Sequence, residues 1–364
     1  MSGALGAALD WVRGNRSGFV LPGDVLEPHS DVNRTMKPLG ELAQLCTTVS
    51  RRTHPGDPHH ATAAALVRFA WEQVREGGLL LDIARNEPFA TYPFEIYAAF
   101  AGDGLRHEGF ERLVSAVAAT RGWAFTEQHA NRELGLLNSE RRIGVPPHTA
   151  AEPVLRRTWL GALPEPWTFE RASGYALTHA VFHVTDWGNA PQLMPRDISD
   201  YLRTWLPAWI DGCFENGQWD LGGELLAVAA CLPEPPPQAL VETFWPVLAA
   251  VQDGTGAVPE TGPPLVPGGG GQQEGGPGGE ASADVLEAPR EFLNCYHSTL
   301  VTAFAAALTL ARSGPADQAT ATGTATAAAT GRTGQQPGPD PAPAAPGRTG
   351  QQPDPAGRQD GGAV

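Results

Sequence analysis

The stretch YALTHAVFHVTDWG, residues 175–188, places two histidines and an aspartate in an otherwise apolar run. His179 and His183 are one helical turn apart, and Asp186 lies close to the same line, so all three face one side of a helix. A neutral imidazole is a common metal ligand, and this spacing allows two ligands from one helix. The alternative is a hydrogen-bonded group inside a helical core. We favour that alternative for His183 and Asp186 and leave both open for His179.

Two carboxylates one helical turn apart, Asp220 and Glu224, lie in the segment WDLGGELLAVAACL. Two anions on one helix face repel each other, so a cation, a shared proton or water should compensate them. The apolar residues after Glu224 predict burial, and an isolated buried charge is costly. The alternative is a first-turn aspartate favoured by the helix dipole, followed by a solvated glutamate.

A third candidate is His297, which begins another apolar helix in the segment NCYHSTL. The neighbouring Ser298 and Thr299 leave open the alternative that this is only a helix cap. As a ligand, His297 would add a second imidazole to the side chains above.

Together, His179, Asp220 and His297 offer two imidazoles and one carboxylate, with Glu224 as a second carboxylate nearby. This is the ligand chemistry of zinc or another divalent metal with positions open for water or substrate. Without a metal, the same groups could act as general acid and base, with Tyr175 as a donor. The three ligands come from separate segments, so the prediction requires the fold to bring them together.

The elements that must position these residues are helices. Convincing strand alternation is absent from the sequence, whereas amphipathic helical periodicity recurs throughout it, which predicts an all-α domain of eleven or so helices. The helical segments are 4–15, 36–52, 61–77, 94–104, 110–123, 150–163, 170–188, 198–217, 219–232, 238–254 and 293–314.

Two low-complexity segments predict no packed structure. A glycine-rich segment at about 254–284 interrupts the helical sequence, and the tail 313–364 is mostly Ala, Gly, Thr, Pro and Gln, with the heptapeptide GRTGQQP repeated at 331–337 and 347–353. Such compositions bury too little apolar surface to offset the entropy of ordering. We therefore predict one helical domain over 1–312, containing a disordered insertion at about 254–284, and a disordered tail over 313–364.

Charge and composition limit the partners. Forty acidic residues against twenty-five basic ones give a net charge of −15, and no Lys/Arg cluster is present, which argues against nucleic acid. No window approaches the roughly 18 apolar residues of a membrane span, and the N-terminus has no signal-peptide pattern. The four cysteines are dispersed without a CxxC. We expect a cytoplasmic protein with free thiols and no membrane partner.

A recurring pattern suggests an internal repeat. In three places a helix ends in an acidic or amide residue, a glycine-rich turn follows, and an apolar helix begins: WEQVREGGLLLD before PFEIYAAFAG, IDGCFENGQWD before LGGELLAVAACL, and LAAVQDGTGAVP before CYHSTLVTAFAAAL. Helix pairs that cannot bury their faces alone must stack on their neighbours. The pattern predicts paired-helix repeats in an open or closed array.

These turns resemble those of α/α-toroid proteins, the helical barrels of terpenoid cyclases and protein prenyltransferases, over about residues 60–312. The resemblance implies an α/α toroid or partly closed helical barrel in which the second helix of each pair lines a central funnel. It also implies that functional side chains lie in the first turn of that helix. The positions it indicates are Glu95, Tyr175, His179, Asp220, Glu224, Cys295 and His297.

A closer local match is found in IDGCF and CYHSTL, which are similar to the zinc-binding pattern of prenyltransferase β-subunits and would imply Asp211, Cys213 and His297. Asp211 and Cys213 precede the glycine turn, which places them on an outer helix, so we retain only His297. The DxDD motif of class II terpene cyclases is absent. The segment YALTHAVFHVTDWG also resembles an uncharacterised actinobacterial protein family, which implies no known activity.

Two hypotheses follow. The first is an enzyme of specialised metabolism that acts on a small or peptidic substrate, with metal ligands His179, Asp220 and His297 and catalytic groups Tyr175, Glu224 and Glu95. The second is a non-catalytic helical-repeat scaffold that binds another protein, in which the same residues form a buried polar network.

Overall fold

The structure, a computed structural model, describes residues 1–27, 30–263 and 290–313. Within these ranges the chain forms fifteen α-helices and no strand, which confirms the all-α prediction. The helices are α1 Ser2–Gly14, α2 Met36–Arg52, α3 Pro58–Gln73, α4 Gly78–Asn86, α5 Tyr92–Gly102, α6 Glu108–Ala118, α7 Arg121–Ala124, α8 Ala130–Ile143, α9 Ala151–Leu155, α10 Arg171–Val184, α11 Arg196–Glu215, α12 Trp219–Cys231, α13 Gln238–Val251, α14 Arg290–Leu293 and α15 Tyr296–Arg312. Short 3-10 helices are Arg16–Phe19, Arg75–Gly77, Leu160–Ala162, Pro166–Thr168 and Pro191–Leu193.

Six of these helices surround one large cavity. They are α2, α5, α8, α10, α12 and α15, and each contributes side chains to the cavity wall. Each packs against the next in that order, and α15 packs against α2, so the sequence of contacts closes on itself. The intervening helices pack outside them: α3 on α2, α9 on α8 and α11 on α12. The chain therefore alternates between helices that line the cavity and helices that do not.

The N-terminal turns of several cavity helices meet at one end of the cavity. His297 in the first turn of α15 contacts Asp220 in the first turn of α12, and it also lies near Glu41 close to the start of α2. Helix N-termini carry partial positive charge, which favours carboxylates nearby. This arrangement explains how buried acids can gather at that end of the domain.

Two glycines bring α12 close to its neighbours. A Cβ atom on Gly222 would lie 2.3 Å from the Phe214 ring of α11, and one on Gly223 would lie 3.1 Å from Val301 of α15. Every residue of α12 is buried, as expected for a helix that is apolar apart from Asp220 and Glu224. The Gly-Gly pair between Asp220 and Glu224 therefore serves packing and fixes the position of both carboxylates.

The helix prediction from sequence missed α4, α8 and the short α14, joined α6 and α7 into one helix, and extended α9 too far. The α8 wall of the cavity carries Arg132, Asn138 and Arg142, so α8 lacks the continuous apolar stripe that identifies a helix from sequence. Beyond α9, the Thr158 hydroxyl donates to the carbonyl of Leu155 and accepts from the amide of Gly161, which forms a turn where helix 150–163 was predicted.

The first ten residues of the predicted insertion, 254–263, pack on the domain. Ala257 and Val258 are buried. The backbone of Val258 pairs with the hydroxyls of Ser298 and Thr299 at the start of α15, and the Glu260 carbonyl accepts a hydrogen bond from the amide of Asp220. This short apolar segment therefore holds the N-termini of α12 and α15. The remainder of the predicted insertion, 264–284, and the tail 314–364 lie outside the described residues.

In the described ranges, no helix is long and apolar enough to cross a bilayer. All four cysteines are buried free thiols. Burial raises the pKa of Cys46 and of Cys213 to about 12 and that of Cys295 to about 11. Because the thiolate is the reactive form, these residues are poor nucleophiles.

Candidate functional site

Three side chains from two helices form the centre of the candidate site. Potential ligand atoms of Asp220, Glu224 and His297 all lie within 4.8 Å of one another, an arrangement that could hold a metal ion. The Asp220 and Glu224 side chains are only 4% and 3% exposed, and the His297 side chain is 24% exposed. The structure thus brings together Asp220 and His297, which were expected to meet, with Glu224 as the third member.

The two ring nitrogens of His297 have different surroundings. Nδ1 lies 2.7 Å from Asp220 Oδ1, at hydrogen-bond distance. Nε2 lies 3.7 Å from Glu224 Oε1 and 3.8 Å from Glu41 Oε1. Asp220 therefore fixes the orientation of the ring and directs Nε2 toward two carboxylates.

Helix α10 supports both carboxylates of α12. The Tyr175 hydroxyl donates to Asp220 Oδ2 over 2.8 Å, and the Thr178 hydroxyl donates to Glu224 Oε2. His179 stands further off, with Nε2 4.0 Å from Glu224 Oε1. It lies deep among protein atoms, yet 47% of its side chain is exposed because it lines the cavity.

The site shifts the acidity of its members in different directions. Burial raises the pKa of Glu224 to about 8, helped by the charge of Asp220. Burial alone would lower the pKa of His297, but the charges of Asp220, Glu41 and Glu224 outweigh it and raise the pKa to about 10. For Asp220, burial alone would raise the pKa. The charge of His297 and the hydrogen bonds from His297 and the Tyr175 hydroxyl outweigh burial and lower the pKa below its ordinary value.

The remaining members of the site keep their neutral forms. Burial lowers the pKa of His179 to about 4, and the charge of His297 adds to this effect. Burial and the charge of Asp220 raise the pKa of Tyr175 well above its ordinary value. At neutral pH the site therefore contains an Asp220 carboxylate paired with a His297 imidazolium, a largely protonated Glu224 and a neutral His179.

Glu41 belongs to the site but was missed from sequence. The Tyr296 hydroxyl donates to Glu41 Oε2 over 2.9 Å, and Lys37 Nζ lies 3.8 Å from Oε1. In an amphipathic helix a glutamate normally faces solvent, so nothing in the α2 segment distinguishes Glu41. Only the contact between α2 and α15 reveals its position.

Glu95 lines the same cavity but lies apart from the cluster. Arg132 Nη2 is 3.0 Å from Glu95 Oε1 without hydrogen-bond geometry, so this buried oxygen has no hydrogen-bond partner among the described residues. Burial raises the pKa of Glu95, while the charge of Arg132 opposes the shift. The structure does not bring Glu95 to the Asp220, Glu224 and His297 side chains.

The cavity has a volume of about 460 Å³ and a second polar end away from the cluster. There, Asp186 accepts hydrogen bonds from Arg142 Nε and Asn138 Nδ2. This agrees with the interpretation of Asp186 as a structural group. The His183 ring lines the cavity between the two ends, and Phe182, Trp187, Val301 and Phe304 add an apolar wall.

The prenyltransferase-like pair lies elsewhere. Asp211 is exposed and Cys213 is buried on α11, and neither lines the cavity. This placement agrees with the expectation that the two residues precede the turn to the cavity helix. His297 alone of that pattern reaches the site.

The domain is thus an all-α protein with a largely buried polar cluster beside a cavity that is partly open to solvent. Residues 5–307 match the family described as a domain of unknown function, DUF6895, and the chain belongs to that family. Comparisons with curated proteins and with solved structures gave no match.

Proposed function

We propose that this protein is a metal-dependent enzyme that acts on a small molecule bound in the cavity. The observation that carries the proposal is the orientation of His297: its Nδ1 is held by Asp220, and its Nε2 faces the carboxylates of Glu224 and Glu41. Metal-binding histidines characteristically pair their second ring nitrogen with a carboxylate, which orients the ring and increases its basicity.

The balance of charge allows a bound cation. Three carboxyl groups surround the His297 ring; Lys37 lies beside Glu41, and the charge of Arg171 acts on Asp220. Buried carboxylates need compensation, and in the metal-free protein the protons on Glu224 and His297 complete it. A divalent cation would replace the protons that Glu224 and His297 otherwise retain.

The spacing of the donor atoms fits such an ion. A tetrahedral ion with ligands at about 2.1 Å holds its donor atoms about 3.4 Å apart, and His297 Nε2 lies 3.7 Å from Glu224 Oε1 and 3.8 Å from Glu41 Oε1. His179 Nε2, at 4.0 Å from Glu224 Oε1, can supply a further ligand. The 2.7 Å contact between Asp220 Oδ1 and His297 Nδ1 makes Asp220 the residue that positions His297. Zinc suits this mixed histidine and carboxylate set.

The cavity defines the substrate class. A volume of about 460 Å³ lies within the usual range of roughly 300–1,000 Å³ for small-molecule sites. Because the walls come from six helices that contact one another in a closed order, we infer an α/α toroid whose central space is this cavity. With Glu224 as a ligand of the ion, Tyr175, which is bonded to Asp220, is the neighbouring hydroxyl that can donate a proton.

Metal binding by the full chain tests the proposal. We expect about one Zn²⁺ per chain by elemental analysis and calorimetry, and we expect His297→Ala to lose it because both the ligand and the link to Asp220 disappear. His183→Ala is the matched control, since His183 lines the same cavity one turn beyond His179 and should leave metal binding unchanged. Failure of the folded wild-type protein to bind Zn²⁺, Mn²⁺ or Fe²⁺ would reject the proposal.

The Asp220→Asn variant tests whether Asp220 positions His297 or binds the metal directly. The amide keeps the size of the side chain but weakens its hold on His297 Nδ1, so we expect unchanged metal stoichiometry and about 10–100-fold weaker affinity. Calorimetry with Zn²⁺ measures both quantities, and Glu95→Gln serves as a carboxylate control in the same cavity. Complete loss of the ion in Asp220→Asn would instead make Asp220 a direct ligand.

Acid–base catalysis without a metal is a second candidate, favoured by the pKa of about 8 for Glu224. A buried glutamate that retains its proton near neutral pH can act as a general acid. Chelator-resistant turnover that disappears in Glu224→Gln would support this candidate over the first.

A protein-binding scaffold receives less support from the geometry. Its polar residues would face a partner on an accessible surface, whereas Asp220 and Glu224 are buried at the wall of a concave cavity. Such a scaffold would keep its fold and its partner binding in the Asp220→Asn variant, and the wild-type protein would bind no metal.

A further inference from the structure

The end of the cavity opposite the cluster contains an arginine with unused hydrogen-bonding capacity. Arg142 Nε donates to Asp186 Oδ1 and Nη1 donates to Gln44 Oε1, each over 2.5 Å. Its Nη2 is buried without a hydrogen-bond partner among the described residues. The Arg142 side chain is 6% exposed and forms part of the cavity wall, so its guanidinium group lies beside a space that a ligand can enter.

Three arginines of the described residues leave a buried guanidinium nitrogen without a hydrogen-bond partner, and of these Arg142 is the one that lines the cavity. Buried polar groups nearly always find partners, and leaving one unsatisfied is costly. Arg52 and Arg312 are half-buried and use Nη2 to donate to backbone carbonyl groups, and neither lines the cavity. Arg142 is therefore the one whose guanidinium group a ligand in the cavity can approach.

The surroundings of Arg142 favour an anion. The charges of Arg51 and Arg141 act on Arg142, and Asp186 is the acidic side chain that opposes them there. The ring of His183, which lines the cavity nearby, has no hydrogen bond to another described residue and remains neutral because burial lowers its pKa. It can therefore donate a second hydrogen bond to an oxyanion without adding charge.

We propose that the substrate carries an oxyanionic group, a carboxylate or a phosphate, which binds Arg142 Nη2 while the other end of the substrate reaches the Asp220, Glu224 and His297 cluster. Guanidinium groups form strong charge-assisted hydrogen bonds to both kinds of oxyanion. The role of the second end rests on the function proposed above; the anion subsite itself does not.

The cavity also indicates the length and body of this ligand. On α10, Thr178 contacts Glu224 of the cluster, and Asp186, which binds Arg142, follows just after the end of that helix. At 1.5 Å of rise per residue, the Arg142 end of the cavity is therefore roughly 10 Å from the cluster. Between the two ends the wall is lined by the apolar side chains of Phe182, Val301 and Phe304. An elongated molecule with an apolar middle and one anionic end fits this arrangement.

Calorimetry on chelator-treated full-length protein tests the subsite without interference from a metal. The probes are octanoate, octyl phosphate and the uncharged octanol, whose chains span most of the distance. We expect at least one anion to bind tenfold or more tightly than octanol, and we expect Arg142→Gln to remove that preference. The stronger of the two anions identifies a carboxylate or a phosphate as the natural group.

Three controls keep the outcome decisive. Arg52→Gln, the loss of a half-buried arginine that does not line the cavity, should retain the preference, and circular dichroism should show that Arg142→Gln is folded. If Arg142→Gln does not fold, Arg142→Lys, which keeps the charge but not the planar fork, should weaken anion binding by at least tenfold. Equal binding of octanol and both anions, or loss of the preference in Arg132→Gln but not in Arg142→Gln, would overturn the proposal.

This experiment can fail independently of the metal assay. Zn²⁺ binding with no anion preference would retain the proposed metal site and reject the anion subsite. An anion preference that depends on Arg142 in a protein that binds no metal would establish the subsite and reject the metal-dependent function.

Discussion

The metal-free protein is expected to lose thermal stability as the pH rises from 7 to 8.5, with a fall in Tm of about 5 °C or more. His297 and Glu224 cause this loss because both keep a proton in the folded state that they release in the unfolded state. Their folded pKa values are about 10 and about 8, whereas the unfolded values are close to the ordinary 6.5 and 4.5.

The direction follows from proton linkage. The stabilisation from the His297 pair is fully present below pH 6.5 and is lost as the pH rises through about 10. Glu224 acts in the same direction between pH 4.5 and about 8, because ionising it buries a charge and places that charge beside Asp220. His179 has the opposite effect, but its window, between about 4 and 6.5, lies below this range. Each retained proton contributes a slope of about 1.4 kcal/mol per pH unit.

Thermal unfolding in the presence of a chelator, measured at half-unit steps of pH, provides the test. Glu224→Gln removes one of the two titrations and should flatten the decline below pH 8. His54→Asn, a change at an exposed loop residue, should leave the decline as it is in the wild type. Saturating Zn²⁺ should oppose the loss of stability, because the ion displaces the same protons and binds only the folded state. A Tm that stays constant or increases over this range would show that Glu224 and His297 do not hold these protons.

Sequence alone predicted the helical class and the main acids and bases of the site because both depend on local patterns. Apolar periodicity identifies most helices, and the i, i+4 spacing of Asp220 and Glu224 in an apolar segment predicts a shared, buried face. His297 was identifiable because it is a histidine in the first turn of a largely apolar helix. These signals require no knowledge of how the helices pack.

The rest of the site depends on contacts between distant segments. Glu41 lies 256 positions before His297, and only the packing of α2 against α15 brings them together. Arg142 lies on α8, a helix whose polar cavity face hides its periodicity. His179 was placed among the first metal ligands because of its spacing, whereas the structure sets Glu224 closer to His297 Nε2 than to His179 Nε2, at 3.7 Å against 4.0 Å.

A second large effect is expected from Asp186→Asn, which should destabilise the fold by about 3 kcal/mol or more. Asp186 is the counter-ion of Arg142, with Oδ1 2.5 Å from Nε, and the two side chains are only 20% and 6% exposed. The amide preserves the shape and tolerates the left-handed backbone at this position, where φ is +51°. It therefore removes the charge while leaving the packing intact, and the buried guanidinium loses its compensation.

Chemical denaturation measures this cost, and Asp10→Asn is the matched control. Asp10 pairs with Arg13 on the surface of α1, where both side chains are 64% exposed, so its loss should cost less than about 1 kcal/mol. The double variant Asp186→Asn with Arg142→Gln should be less destabilised than the sum of the two single variants, because the second change removes the charge that the first leaves unpaired. Equal costs for Asp186→Asn and Asp10→Asn would mean that Arg142 is solvated rather than enclosed, and the anion subsite would then lose its physical basis.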